Sequence, residues 1–252
     1  MVKRGYQHNF SNISGGMYDV VGRERKAKTM VAVLTDYFQS PLNELTLLNV
    51  GSSTGLIDNY LSNHFQSIVG VDIDDPAIEH AKRTFHKTNL EFQVGDALNL
   101  HFPDDSFDVV ICSQVYEHVP FPQKMLNEIF RVLTKGGVCY FAATNKLMWR
   151  EPHYNLPLLS LIPRPLAHLY VRLTGKAKYY HELHYTYWGL KKLVRNFHIN
   201  DYTLKAIRYP LKYHTDYMIP PGSMKAAVAM LIAKNFQWLS PGYIWVLEKP
   251  TT

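Results

Sequence analysis

Leu47-Leu48-Asn49-Val50-Gly51-Ser52-Ser53-Thr54-Gly55-Leu56 opens the stretch that decides the fold, and Ser67-Ile68-Val69-Gly70-Val71-Asp72 closes it. A short apolar run passes through a turn with two glycines into a helical pattern, then into a second apolar run that ends in a carboxylate. Leu56, Ile57, Tyr60, Leu61 and Phe65 fall on one face of the intervening helix, the spacing of an inward stripe. Glycine lets backbone pass close to a ligand, and a carboxylate at a strand end can accept hydrogen bonds from a ribose diol. The stretch therefore reads as the nucleotide-gripping half of a doubly wound α/β sheet.

The flanking sequence extends that sheet. Residues 17–40 predict a leading helix with Met30, Leu34, Tyr37 and Phe38 on one face and Pro41 beyond its end. Tyr18, Arg23, Arg25 and Lys26 at its front can face a ligand, although a solvated polar face is the simpler reading. The first strand spans about Leu45–Val50. After Asp72, Asp75-Pro76 predicts an N-cap and first-turn proline for a helix to about His86. Glu91–Gly95 predicts a third strand, and the nearly continuous run Phe107–Cys112 a fourth, buried on both faces of a parallel sheet. A helix over about Gln123–Leu133 follows, with Gly136-Gly137 read as its C-cap, and Val138–Ala143 predicts the fifth strand.

About 40 residues, 145–185, then interrupt the alternation, far more than the roughly 2–6 residues of an ordinary connection. This insert predicts helical runs at Leu156–Ile162 and Leu166–Leu173 and carries His153, His168, His181 and His184 among tyrosines. The chain resumes with a helix at Thr186–Phe197, a strand near Tyr202–Tyr209, a Tyr- and Pro-rich loop, a small-residue helix near Ser223–Leu239 and a last strand, Tyr243–Glu248. The final two strands are expected to pair antiparallel at the sheet edge. The whole of 1–252 reads as one domain with an N-terminal helix (about 17–40) and a helical cap (about 145–185).

Composition excludes several classes. At 252 residues, 46% hydrophobic and 19% charged, the chain is that of a soluble globular protein with a full core. The net charge of +6 comes without a dense Lys/Arg block, so nucleic acid is not an expected partner. Cys112 and Cys139 sit in apolar runs, as buried reduced thiols do, and Met1–Asn12 is polar with no signal-like core. A cytoplasmic location is expected, with peripheral membrane contact open through Leu156–Ile162, Arg164 and Arg172.

Two nucleotides compete for the opening stretch. A dinucleotide fingerprint wants G-x-G-x-x-G, but Ser53 stands at the middle glycine position and nothing after Leu56 restores the pattern. The later strand ends decide. Asn49–Gly55, Val71-Asp72-Ile73-Asp74, Gly95-Asp96-Ala97, Phe107–Val110, Tyr116-Glu117-His118-Val119 and Arg131–Gly137 occur in an order and spacing that resembles the class I S-adenosylmethionine-dependent methyltransferases, most closely the ubiquinone/menaquinone-biosynthesis-like group. The resemblance covers about Leu47–Gly137, then Thr186–Phe197 and Tyr243–Lys249. It implies a doubly wound, seven-stranded, mostly parallel sheet with an antiparallel last strand, and S-adenosyl-L-methionine as cofactor.

By that resemblance Gly51 and Gly55 flank the methionine part, Ser113 lies where the chain passes it, and Asn49, Ser52, Ser53 and Ile73 are further cofactor-binding positions. Asp72 holds the ribose hydroxyls, and Asp96-Ala97 frame the adenine. Asn49 departs from the family's usual Asp, keeping an acceptor oxygen while losing the charge. His118 is the candidate catalytic base, with a pKa near neutrality in its free form; capping or orienting the next loop is its structural alternative. Gln114 stands where metal-dependent relatives carry an extra glutamate, and His181-Glu182-Leu183-His184 lacks the H-E-x-x-H spacing, so no metal ligands are expected. The implied activity is metal-independent O-methylation of a small-molecule, glycan or lipid-linked hydroxyl. C-methylation of a quinone or isoprenoid precursor, and a silent binding module, are the alternatives.

Overall fold

The computed structural model describes residues 8–12 and 15–251; of the polar N-terminal stretch, residues 1–7 lie outside the described residues. Two 3-10 turns, Phe10–Asn12 and Gly15–Tyr18, precede helix α1 (Val20–Phe38). Asp19, not residue 17, starts α1, because its carboxylate accepts the Gly22 N–H and satisfies one of the orphan donors of the first turn. Ala27, Met30, Val33 and Leu34 are its buried face.

The predicted sheet is present. Strands β1 (Thr46–Val50), β2 (Ser67–Asp72), β3 (Leu90–Val94), β4 (Phe107–Ser113) and β5 (Leu133–Thr144) are parallel, joined by α2 (Leu56–Leu61), α3 (Asp75–Thr84) and α4 (Pro122–Val132). A two-residue hairpin, β6 (Arg150–Glu151) with β7 (Leu156–Pro157), and helix α5 (Arg164–Leu173) form the cap. Then come α6 (Tyr187–Leu193), β8 (His198–Asp201), α7 (Thr203–Arg208), α8 (Met224–Asn235) and β9 (Gly242–Glu248). The strand order is β3-β2-β1-β4-β5-β9-β8, with β9 antiparallel to both neighbours.

Alternation along β4 shows why both sheet faces are covered. Val110 and Cys112 join the core beneath α4 and α6, whereas Val109 and Ile111 join the core beneath α1, α2 and α7. Each such fully buried aliphatic side chain contributes roughly 1.5–3 kcal/mol. Two glycines are needed where they stand. Gly51 has φ +85° and Gly55 φ +76°, and a Cβ on Gly55 would lie 2.7 Å from Phe92 and 2.8 Å from Ala81.

Four local expectations give way. Asp74, not Asp75, is the N-cap of α3. Helix α4 ends at Val132 with Leu133 already extended, and Gly136, at φ +77°, turns the chain within β5 while its N–H donates to Lys249 O. The run Tyr202–Tyr209 is a helix, because Asp201 accepts the Thr203 N–H and ends β8 there. The cap run Leu156–Ile162 is not an α-helix: Leu156-Pro157 pair with β6, Leu158 takes φ +56°, and only a 3-10 turn at Leu159–Leu161 remains.

Candidate active site

The carboxyl ends of β1 to β5 open into a cavity of about 1720 Å³, walled on the far side by the cap, α7 and α8. Ligand pockets of about 300–1,000 Å³ are usual, so this one has room for a cofactor and a second molecule. Of the residues predicted to serve, Asn49, Gly51, Ser53, Asp72, Ile73, Asp96, Ala97, Ser113 and His118 line it. Ser52 and Gly55 are not among the lining residues. Gly55 is a packing glycine against Phe92 and Ala81, and the Ser52 hydroxyl donates inward to Asp58 Oδ2 at 2.9 Å.

The glycine turn is pinned from three sides. Gly51 N and Ser52 N donate to Val71 O at 2.8 and 3.1 Å, and Ser53 N donates to Asp72 Oδ2 at 2.7 Å. Asp72 Oδ1 accepts the Asp74 N–H at 2.9 Å. Burial raises the Asp72 pKa and these backbone hydrogen bonds oppose it. Each carboxylate oxygen has a second acceptor site for a diol. From above, the Thr54 hydroxyl donates to Met17 O at 2.7 Å and Ser53 Oγ reaches Met17 Sδ at 3.3 Å, so the Gly15–Tyr18 turn folds over the same loop. Arg23 and Lys26 of α1 line the cavity, their pKa values lowered chiefly by burial; Tyr18 and Arg25 are not among the lining residues.

Asn49 now has a reason. Its amide Nδ2 donates to Asp58 Oδ1 at 2.9 Å, and Asp58 is fully buried with its pKa pushed up to about 6 by desolvation. A carboxylate at position 49 would confront that of Asp58 at the same distance. Asparagine is the residue type that can line the cavity and still donate.

The other half of the cavity holds histidines and buried glutamates from distant parts of the chain. His118, past the end of β4, is in edge contact with His153 of the cap at a ring separation of 4.7 Å. His153 Nδ1 lies 2.6 Å from Glu151 Oε1, and His184 Nε2 lies 3.3 Å from the same oxygen. His184 Nδ1 in turn meets the Thr144 hydroxyl at 2.9 Å. Glu182 Oε1 is 4.0 Å from His118 Nδ1. Burial alone would raise Glu151, but its bonds to His153 and His184 hold it down to about 2. Burial works against a charge on His153, and the Glu151 hydrogen bond outweighs it and raises the pKa. Glu117 is fully buried and its pKa is raised by that burial.

Among the described residues, Glu117–His118–His153 and Glu151–His153–His184 have the ligand types and proximity to hold a metal ion. Neither group follows a local spacing pattern, since the cap brings Glu151 and His153 over His118 from more than thirty positions away. His153 and Glu151 are the functional candidates that sequence reasoning passed over. The one available signal was a cluster of histidines in an insert of unusual length.

Residues 48–141 match the methyltransferase domain family. Over those residues the chain carries a methyltransferase domain. The Coxiella burnetii protein named ubiquinone biosynthesis O-methyltransferase is 27% identical over 141 residues, 54% of this chain and 60% of that one. The chain thus spans about 60% of the length of those relatives. A Mycolicibacterium smegmatis fatty-acid O-methyltransferase is 32% identical over 121 residues, covering 47% of this chain and 42% of its own. In fold, the chain is similar to a chain of the complex between the Haloferax volcanii Trm112 methyltransferase activator and a methyltransferase. The TM-score is 0.60 at 17% identity, over 96% of both chains. The donor set fits S-adenosylmethionine: carboxylates at the ends of β2 and β3, cations on α1 and a glycine turn beneath them.

Proposed function

We propose that this methyltransferase transfers a methyl group to a hydroxyl oxygen of a small-molecule, glycan or lipid-linked acceptor, with His153 accepting the hydroxyl proton. The observation that carries the reading is the His153–Glu151 pair. Its imidazole lines the cavity while Nδ1 is held at 2.6 Å by a fully buried carboxylate. With Nδ1–H donated to Glu151, Nε2 is the acceptor atom. The names of the two relatives, both O-methyltransferases, support oxygen as the acceptor atom.

S-adenosylmethionine supplies, when bound, an electrophilic methyl group with its leaving group already attached. Asp72 would accept hydrogen bonds from the ribose hydroxyls, and Asp96 with the Ala97 N–H would frame the adenine. Gly51, Ser53, Asn49 and Ser113 would line the methionine end. His153 Nε2 would take the acceptor's O–H proton as the acceptor oxygen receives the methyl group that S-adenosylmethionine supplies, with S-adenosylhomocysteine as the leaving group. Holding the two reactants in line can supply about 7–11 kcal/mol of the barrier, and a placed base a further ~10²–10⁴-fold. His118, in edge contact with His153 and close to Glu182, would hold the second imidazole of the acceptor site.

Calorimetry with S-adenosylhomocysteine, then a screen of acceptor classes for its release, tests the reading. Failure to bind at millimolar concentration would overturn it. The carbon-13 shift of the transferred methyl group separates an O-methyl from a C-methyl product.

A further inference from the structure

Helix α8 is apolar and uncovered. Nine of its twelve residues are apolar, yet only Ala233 is buried, and Met224 is 84% exposed. Helix α5 shows the same condition on one side. Ala167 and Val171 are buried in the cap, while Leu166, Leu169 and Leu173, at i, i+3 and i+7, face solvent. Three of the four tryptophans, Trp149, Trp188 and Trp238, are exposed as well, and the last two stack at 5.7 Å. Indole rings of this kind favour the boundary between hydrocarbon and water.

The charge around these elements has one sign. No Asp or Glu occurs between Glu151 and Glu182 or between Asp216 and Glu248, whereas Arg164, Arg172, Lys176, Lys178, Lys225 and Lys234 do. Residues 152–252 carry 13 Lys and Arg against 4 Asp and Glu, a net +9. Residues 1–151 carry 14 against 17, a net −3. Such asymmetry points to an anionic partner. It also opposes a second copy of the chain, which would bring like charge onto like charge. Among the described residues no helix is long and apolar enough to cross a membrane.

We propose that the exposed sides of α5 and α8 dock on the surface of an anionic lipid bilayer, lying in its interface rather than spanning it. Apolar side chains enter the headgroup boundary and the lysines and arginines meet lipid phosphates. Both elements flank the acceptor cavity. Lys225, Ala229 and Ile232 of α8 wall it on one side, and Lys176 to Tyr179, just past α5, on another. The docked surface therefore brings the mouth of the cavity to the bilayer, where an amphiphilic acceptor is presented. The docking itself stands independently of the methyl-transfer reading.

Co-sedimentation of the full chain with vesicles, with and without phosphatidylglycerol in phosphatidylcholine, tests this. Binding is expected only with the anionic lipid and should weaken at high salt. Val228→Asp with Leu231→Asp should each-pairwise reduce it about tenfold or more, as should Leu169→Asp with Leu173→Asp. Arg172→Glu with Lys234→Glu should reduce it roughly tenfold or more. All six positions are exposed, so melting temperatures should stay at the parent value. No binding to anionic vesicles would overturn the proposal, as would binding that ignores both apolar pairs. A concentration-dependent dimer that the α8 pair abolishes, in a chain that ignores vesicles, would assign the face to a second copy instead.

Discussion

Glu151→Gln isolates the charge behind His153 while keeping an oxygen within reach of its Nδ1. A hydrogen bond to a charged group contributes about 1.5–3 kcal/mol and a neutral one about 0.5–1.5. The substitution therefore removes about 1–1.5 kcal/mol of support for the imidazolium that forms as the acceptor loses its proton. That corresponds to a roughly five- to tenfold lower kcat on the plateau. The pH profile adds a sign. His153 must be neutral to accept a proton and its pKa lies above the ordinary 6.5, so kcat should rise with pH to a midpoint above that value. Without the carboxylate charge that midpoint moves to lower pH. Stability carries the same signature. The depressed Glu151 contributes stability above its unfolded pKa of about 4.3, lost as pH falls towards 2. The raised His153 contributes below about 6.5, and loses that as pH climbs through its folded pKa. The melting temperatures of parent and variant should thus differ most between about pH 4.3 and 6.5. The assay is initial-rate release of S-adenosylhomocysteine across pH, beside thermal melts. An unmoved midpoint together with an unchanged plateau would refute the role of the pair.

Gly55→Ala should cost about 2–4 kcal/mol, since φ +76° is costly for a side chain and the new Cβ meets Phe92 and Ala81; a denaturant midpoint equivalent to less than about 1 kcal/mol of loss would contradict that packing. Asn49→Asp places a second buried carboxylate against Asp58, so both fold with raised pKa values and stability falls as pH rises. Chemical denaturation should show a larger loss at about pH 8 than at pH 5, and an equal loss would mean that the two groups do not meet. Asp72→Asn should weaken S-adenosylhomocysteine about ten- to a hundredfold by calorimetry, the value of one or two charge-assisted hydrogen bonds; an unchanged Kd would place the ribose elsewhere.

The parallel half of the fold was legible because its signals are local. Leu47–Asp72 contains a strand, a glycine turn, an amphipathic helix and a second strand within 26 residues, and β4 announces its double burial in consecutive apolar residues. What failed was decided by partners outside the segment being read, some only a few positions away and some far along the chain. Leu156–Ile162 has a helical look, but pairing with Arg150-Glu151 and the left-handed Leu158 take it apart. Ser52 and Gly55 lie in the right turn, yet spacing does not say which side of a turn a side chain faces, and Asp58 draws Ser52 inward. Likewise Asn49 reads as a weakened acceptor until Asp58 is seen beside it. His153 and His118 are 35 positions apart, and only the folded cap makes them neighbours.

The place of β9 sets an order of assembly. It lies between β5 and β8, so β8 has no neighbour in the sheet until residues 242–248 arrive. Strands β1 to β5, complete by Thr144, can pair earlier. The base of the cap waits for residues 238–243 just ahead of and entering that strand, because Asn145 Nδ2 lies within hydrogen-bond distance of Trp238 O, Ser240 O and the Tyr243 hydroxyl. During synthesis the nucleotide end of the cavity can thus form while the acceptor end is still open. Pulse-labelled hydrogen exchange on a refolding chain would show β1 to β4 protected before Asn145 and β8. The chain would be able to hold its cofactor before it has the means to spend it.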